Sequence, residues 1–484
     1  MKRLHWLVAG VFLVACGGSQ PKAPNAPFRA QPPKEERAKP EFAAKAPETW
    51  KLENGVDVYY LKRTDVPLFA VGVAIPGAGY DEEGMSLLVA EALNAGTTVP
   101  GLGSVTSPRV DGQSLSFELT LSGSITSLTV LPAEQEWAVK VLAAYVLSPE
   151  FRPEELGACR ARAMDKALQG EAVSPLLKYG AQGLSDRYRS IGRDALVEYH
   201  RRVFVPEGAA VVMTGGLPRE EAERLSRTYF AGWRAPEPVP EAPPPPEKPP
   251  ARRGAKHKAL AKEPAAPKTT AAEKHGVSEA PQPPPLDAKE KPPILVNLAD
   301  PIAPVVNVTL MGPPPSDPDY PAFRIIAELL QDRMMEVLRV EHQSTYTPTM
   351  SFGSTRSGSA ISLIAKVRLE DVIPTIHDLR ALIDELSGAP PSKERIASVV
   401  ERQALKRVGQ FGTVEGSVTV LSYAHLAKLG TLSEQVTRMR AVSPEDVRKV
   451  AAARFKPENT YIAVTGKVES LVSNLQELGP CRVR

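Results

Sequence analysis

The side chains that most often carry chemistry are sparse in this chain. Seven histidines and three cysteines are spread over 484 residues, and none falls at the i, i+4 or Cys-x-x-Cys spacing that gathers ligands on one metal. His200 stands alone in the first half beyond the N-terminal segment, and His257, His275, His342, His377 and His425 are scattered through the rest. The sequence shows no nucleophile paired with a base and no glycine-rich phosphate loop. Arg339 offers five N–H donors in a planar fork, and Tyr346, seven residues on, offers one hydroxyl. By themselves they read as an arginine offsetting a helix C-terminus and a tyrosine in a strand.

The third chemical position is Cys16. Lys2 and Arg3 form a short basic region, and Leu7 to Ala15 is an apolar stretch too short to span a bilayer. The order Leu13-Val14-Ala15-Cys16-Gly17 resembles a bacterial lipoprotein lipobox. The resemblance implies cleavage before Cys16 and lipid on that residue, where several acyl chains give stable anchoring and a single one does not. Gly17, rather than Asp, follows the cysteine, which by similarity to lipoprotein sorting favours the periplasmic face of the outer membrane. Of the other two cysteines, Cys159 lies in a helical pattern and reads as a buried small hydrophobe. Whether it pairs with Cys481 is open.

The elements that must position these residues come in two copies. With 42% hydrophobic residues the chain can build two or three sizeable cores. A net charge of +3, with no basic stripe, gives no argument for nucleic acid. Residues 1–15 read as the signal segment, 16–47 as a tether, and 234–293, with Pro243 to Pro246 and Pro281 to Pro285, as a Pro/Ala/Lys-rich linker unable to build a core. The segments 48–233 and 294–478 on either side of that linker repeat one another. Phe204-Val205-Pro206-Glu207 with Val211-Val212-Met213-Thr214-Gly215 returns as Phe455-Lys456-Pro457-Glu458 with Ile462-Ala463-Val464-Thr465-Gly466.

Each copy opens with an apolar strand, Val66 to Pro76 and Pro304 to Met311, followed by a helix, Glu83 to Ala95 and Tyr320 to Arg339. Alternating strands follow, through Leu115 to Leu121 and Ile361 to Leu369, then helices Glu134 to Leu147 and Asp371 to Leu386. Ser443-Pro444-Glu445-Asp446 starts a later helix, with a capping serine and proline at the first position. The expected fold is α+β: two repeated domains, each an antiparallel sheet with packed helices.

Trp50 to Val56, the strand into Pro76-Gly77, Gly84, and the helix ending at Gly96-Thr97 together resemble the start of a pitrilysin/insulinase peptidase half. The likeness covers about 49–233 and 294–478. That family's chemistry rests on His-x-x-Glu-His, two imidazoles on one helical face binding zinc and a glutamate that takes a proton from the bound water. Counted back from Gly96-Thr97, the motif falls on Leu87-Leu88-Val89-Ala90-Glu91. Leu87 replaces the first histidine, Ala90 the base and Glu91 the second histidine, so no metal, no cofactor and no catalytic residue is expected. The resemblance also implies a role for Arg339 and Tyr346, which would hold the substrate backbone and donate to the oxyanion; Gln343 stands between them where glycine is common. The implied function is a non-catalytic, membrane-anchored subunit that binds peptide or unfolded protein for a zinc-bearing partner of the same family. The alternative is an assembly protein that keeps the peptidase shell.

Overall fold

The computed structural model describes residues 45–81, 83–95, 97–99, 103–105, 114–169, 173–235, 294–299, 301–456 and 459–483. Cys16, the signal segment and nearly all of the expected tether and linker lie outside them. Among the described residues no helix is long and apolar enough to cross a membrane.

The first half runs β1 (Glu48–Lys51), β2 (Asp57–Lys62), β3 (Phe69–Pro76), α1 (Met85–Asn94), a small hairpin β4 (Thr97–Val99) and β5 (Gly103–Val105), β6 (Ser114–Leu119) and β7 (Gly123–Val130). Four helices follow, α2 (Gln135–Leu147), α3 (Leu156–Leu168), α4 (Val173–Ser190) and α5 (Arg193–Val203), then β8 (Ala210–Gly215) and α6 (Arg219–Phe230). The second half opens with β9 (Ile294–Leu298), β10 (Val305–Gly312), α7 (Tyr320–Met334), β11 (Thr349–Ser354) and β12 (Ser359–Lys366). Its helices are α8 (Val372–Gly388), α9 (Lys393–Phe411), α10 (Val414–Ala427), α11 (Leu432–Arg440) and α12 (Pro444–Arg454), followed by β13 (Thr460–Gly466), α13 (Val472–Leu478) and β14 (Cys481–Val483).

The repeat read from the sequence is visible in strand order. One six-stranded sheet runs β1-β2-β8-β3-β7-β6, the other β14-β9-β13-β10-β12-β11. Five places correspond, and the two Thr-Gly strands, β8 and β13, occupy the same one. The sixth place is filled from opposite ends of the chain: β1 lies antiparallel to β2, whereas β14 lies parallel to β9. The sheets are antiparallel except at β2–β8, β13–β9 and β14–β9. The β2–β8 and β13–β9 pairs join strands that are distant in sequence, as parallel pairing requires.

β3 shows how the period of two is used. Phe69, Val71, Val73 and Ile75 enter the core formed with the first half's own helices. Ala70 and Ala74, on the other face, pack against Val414, Val418 and Leu426 of α10 from the second half. Gly72 makes the close approach possible, because a Cβ there would overlap Val418 Cγ1. His425 of α10 completes the junction: Tyr59 Oη lies 3.0 Å from its Nδ1, and Gly208 O lies 2.8 Å from its Nε2.

Candidate functional site

The helix read as the place of the zinc motif is α1. Asp81 sets its start, its carboxylate accepting from the backbone N–H of Met85 at 2.9 Å and of Ser86 at 2.8 Å. Such capping satisfies donors that a helix N-terminus leaves orphaned. Every residue from Ser86 to Leu93 is buried. Leu87, Leu88 and Leu93 therefore belong to a helix covered on all sides, the arrangement of a core helix. Leu87 and Ala90 belong to that core and carry no polar side-chain atom.

Glu91 is only 3% exposed, yet its charge is matched. Arg162 and Lys166 stand four apart on α3 and so share one face. Arg162 Nε reaches Glu91 Oε2 at 2.9 Å, and Lys166 Nζ reaches Oε1 at 2.7 Å. One turn earlier Cys159 is fully buried, its Sγ 3.6 Å from Glu91 O, and burial pushes its thiol pKa up. Cys159 and Cys481 are both free, which answers the open question of their pairing. Among the described residues no cluster of three or more His, Cys, Asp or Glu could hold a metal.

His200 packs in the core of the first half. It is buried between Phe204, stacked at 4.3 Å, and Phe151, edge-on at 5.7 Å, with Nε2 2.8 Å from Val146 O. Burial pushes its pKa down to about 4. His342 bonds to Asp378 at 2.8 Å, which raises its pKa. His257 and His275 lie outside the described residues.

Arg339 and Tyr346 come together. The helix expected to end at Arg339 is α-helical only to Met334 and continues as a π-helical segment, Met335–Glu341, with His342 N donating to Val337 O at 2.9 Å. Such π-segments recur at functional sites because they re-aim side chains. The chain then reverses. Gln343 takes the left-handed conformation, φ 53°, and Ser344 N and Oγ both donate to Leu338 O, at 2.9 and 3.2 Å. The reversal lays Tyr346 beside the helix, with the Arg339 guanidinium 4.8 Å from the ring centroid, a cation–π contact. Tyr346 lies in a loop and not in a strand, and it is 81% exposed. Among the described residues no hydrogen-bond or carboxylate partner occupies the Arg339 donors or the Tyr346 hydroxyl. The arrangement can hold a carbonyl, a carboxylate or an oxyanion.

The residues that sequence reasoning missed are Arg162 and Lys166, whose i, i+4 spacing was available, and the wall of a depression next to Tyr346. That depression has a volume of about 470 Å³ and is bordered by Ile302, Pro304, Lys366, Arg368 and Leu369.

Residues 190–402, a span that includes Arg339 and Tyr346 but not α1, match the family described as the Peptidase M16 inactive domain. No curated protein matches the sequence. Among solved structures, a peptidase M16 inactive domain from Pseudomonas fluorescens is similar with a TM-score of 0.61 and 16% identity, over 87% of this chain and 98% of that one. A protease from Helicobacter pylori is similar with a TM-score of 0.63 and 12% identity, over 86% and 98%. A chain of complex III2 from Candida albicans is similar with a TM-score of 0.60 and 12% identity, over 89% and 99%. Over residues 190–402 the sequence thus matches the Peptidase M16 inactive domain, within a chain that has the two-sheet M16 fold.

Proposed function

We propose that this chain is a non-catalytic subunit of a heteromeric zinc peptidase, holding peptide or unfolded protein through Arg339 and Tyr346 for a zinc-bearing relative. The observation that carries this reading is the contrast between two sites. The Glu91 carboxylate is engaged by two cations, while the Arg339–Tyr346 pair is exposed with its donors unspent. A cation bound at Glu91 would have to displace Arg162 and Lys166. A peptide at Arg339 displaces only water.

Reconstitution with the zinc-bearing partner tests the reading. Tyr346→Phe removes one hydroxyl and should leave docking intact. It should lower turnover by the complex by about 10²–10³, the usual cost of one oxyanion donor. Arg339→Ala should also weaken substrate binding, since it removes a multi-donor anchor. Unchanged rates for both in a folded complex would sink the reading. The second reading, an assembly protein that keeps the shell, is favoured by the likeness to a chain of complex III2 and predicts that outcome.

The subunit would be lipid-anchored through Cys16 at the periplasmic face of the outer membrane, on the order Leu13-Val14-Ala15-Cys16. Cys16→Ala should leave the chain uncleaved or release it. A variant processed normally and still in the membrane fraction would refute the anchor.

A further inference from the structure

We propose that the depression beside Tyr346 is a subsite for a short extended peptide segment in which an acidic residue stands next to a bulky apolar one. The inference rests on the peptide-holding reading above and names its substrate class.

Strand pairing makes the opening. The ladder between β11 and β12 begins at Thr349↔Ile364, so β11 does not run on past Ile364. On its other side β12 stays paired as far as Val305↔Lys366, and Val367 N donates to Pro304 O at 2.9 Å. Ala365 and Lys366 are thus flanked by strand on one side only, and a 3-10 turn, Leu369–Asp371, closes the far end of the opening. Across the depression the opposite wall is the reversing loop that carries Tyr346. An extended segment entering there takes the place that β11 leaves, the way peptides add to sheet edges. The volume of about 470 Å³ is in the ~300–1,000 Å³ range of ligand sites, so it accepts a large side chain.

The lining selects the chemistry. Ile302 and Leu369 present apolar surface in the depression, Ile302 standing well clear of the core. That surface suits a Leu- or Phe-like side chain. The charged lining groups are Lys366 and Arg368, with no carboxylate among them. Arg368 is already matched, its Nε 2.7 Å from Asp371 and 3.5 Å from Glu370. Lys366 donates to the neutral Gln169 Oε1 at 3.2 Å and keeps its charge unmatched among the described residues. With Arg339 against the Tyr346 ring, the surroundings are positive, and an incoming carboxylate finds Lys366 first.

Fluorescence anisotropy with the full chain tests this, using labelled flexible Gly/Ser peptides that carry one central Asp-Leu, Asn-Leu, Lys-Leu or Asp-Ala step. Wild type should bind the Asp-Leu peptide about fivefold more tightly than Asn-Leu at low salt, with the gap narrowing as salt rises. Asp-Ala should bind more weakly than Asp-Leu. Lys366→Glu, at an exposed position, should reverse the order so that Lys-Leu binds best. If Lys366→Glu leaves the order unchanged while Arg339→Ala weakens every peptide, the subsite is wrong and the peptide-holding reading stands. If Arg339→Ala also changes nothing, both fall.

Discussion

Glu91 is the one charged side chain at the positions read from the sequence as a lost zinc motif, and its surroundings determine what it does. A carboxylate 3% exposed carries a desolvation cost that only paired charge offsets. Arg162 and Lys166 supply that charge while keeping their own outer surfaces in water, at 46% and 39% side-chain exposure. The second half also buries a carboxylate in its first long helix: Glu328 of α7 is paired at 3.0 Å with Arg324 of the same helix, which reaches Gln403 of α9 at 3.1 Å. Its neighbours Ala327-Glu328-Leu329 echo Ala90-Glu91-Ala92. In each copy the buried carboxylate of the first helix is paired with basic side chains, across to α3 in the first half and within α7 itself in the second. Replacing Arg162 and Lys166 together with Ala should cost about 2 kcal/mol. That is below the ~3–5 kcal/mol of a fully buried pair, because the two cations are half in water. Adding Glu91→Gln should restore part of the loss, since it removes the stranded charge. Urea titration of the three proteins checks this. A triple variant no more stable than the double would argue against a paired structural carboxylate. Elemental analysis of the wild type should accordingly find less than stoichiometric zinc.

At the scale of an element, the segment from Met335 to Tyr346 carries the candidate site, and it owes its shape to one unfavourable residue. Gln343 adopts a conformation that costs a residue with a Cβ roughly 1–2 kcal/mol. The bonds of Ser344 to Leu338 O hold it there. Gln343→Gly should leave stability unchanged or slightly raised, strain relief being partly cancelled by a freer unfolded chain. Gln343→Val should lower it by more than ~1 kcal/mol, because a β-branched residue tolerates positive φ worst. Thermal unfolding of both variants checks the order; equal stability would mean the reversal is not under strain. The sequence made the strands and helices of each half legible because their hydrophobic periods are long and repeated. The capping serine at Ser443 with Pro444 behind it was also legible, since it is local, and Asp446 completes a capping box there. The π-segment was not, because nothing in Met335 to Glu341 differs in period from an α-helix. The charge partners of Glu91 and the depression beside Tyr346 depend on tertiary approach, 71 residues away in the case of Arg162.

Across the whole molecule, the two halves are joined by α10 lying on the first sheet, and a histidine sits in that junction. His425 is buried, and burial lowers its pKa. Of the charged groups that face it, Asp57 favours its protonation while Arg356 and Lys428 oppose it. Tyr59 and Gly208, both from the first half, occupy its two ring nitrogens. His200 lies in the first core with its pKa pushed down from 6.5 to about 4. A histidine whose folded pKa is depressed binds fewer protons folded than unfolded in the interval between the two values. Its stabilising effect is then complete above the unfolded pKa and is lost as pH falls toward the folded one. For His200 that interval runs from 6.5 to about 4, and at 1.36 kcal/mol per unit the loss approaches about 3 kcal/mol. His425 adds to the loss in the same direction. His342 works oppositely: its raised pKa means support from Asp378 that fades as pH rises, but its exposure keeps that contribution small. The melting temperature should therefore drop between pH 6.5 and 4.5, before most carboxylates titrate. His425→Gln keeps a side chain that can donate to Gly208 O and cannot ionise, so it should flatten part of that slope. His200→Gln should flatten more of it at a lower starting stability. Calorimetry at half-unit pH steps measures both, and a slope unchanged in the double variant would place the acid sensitivity elsewhere than in these two histidines.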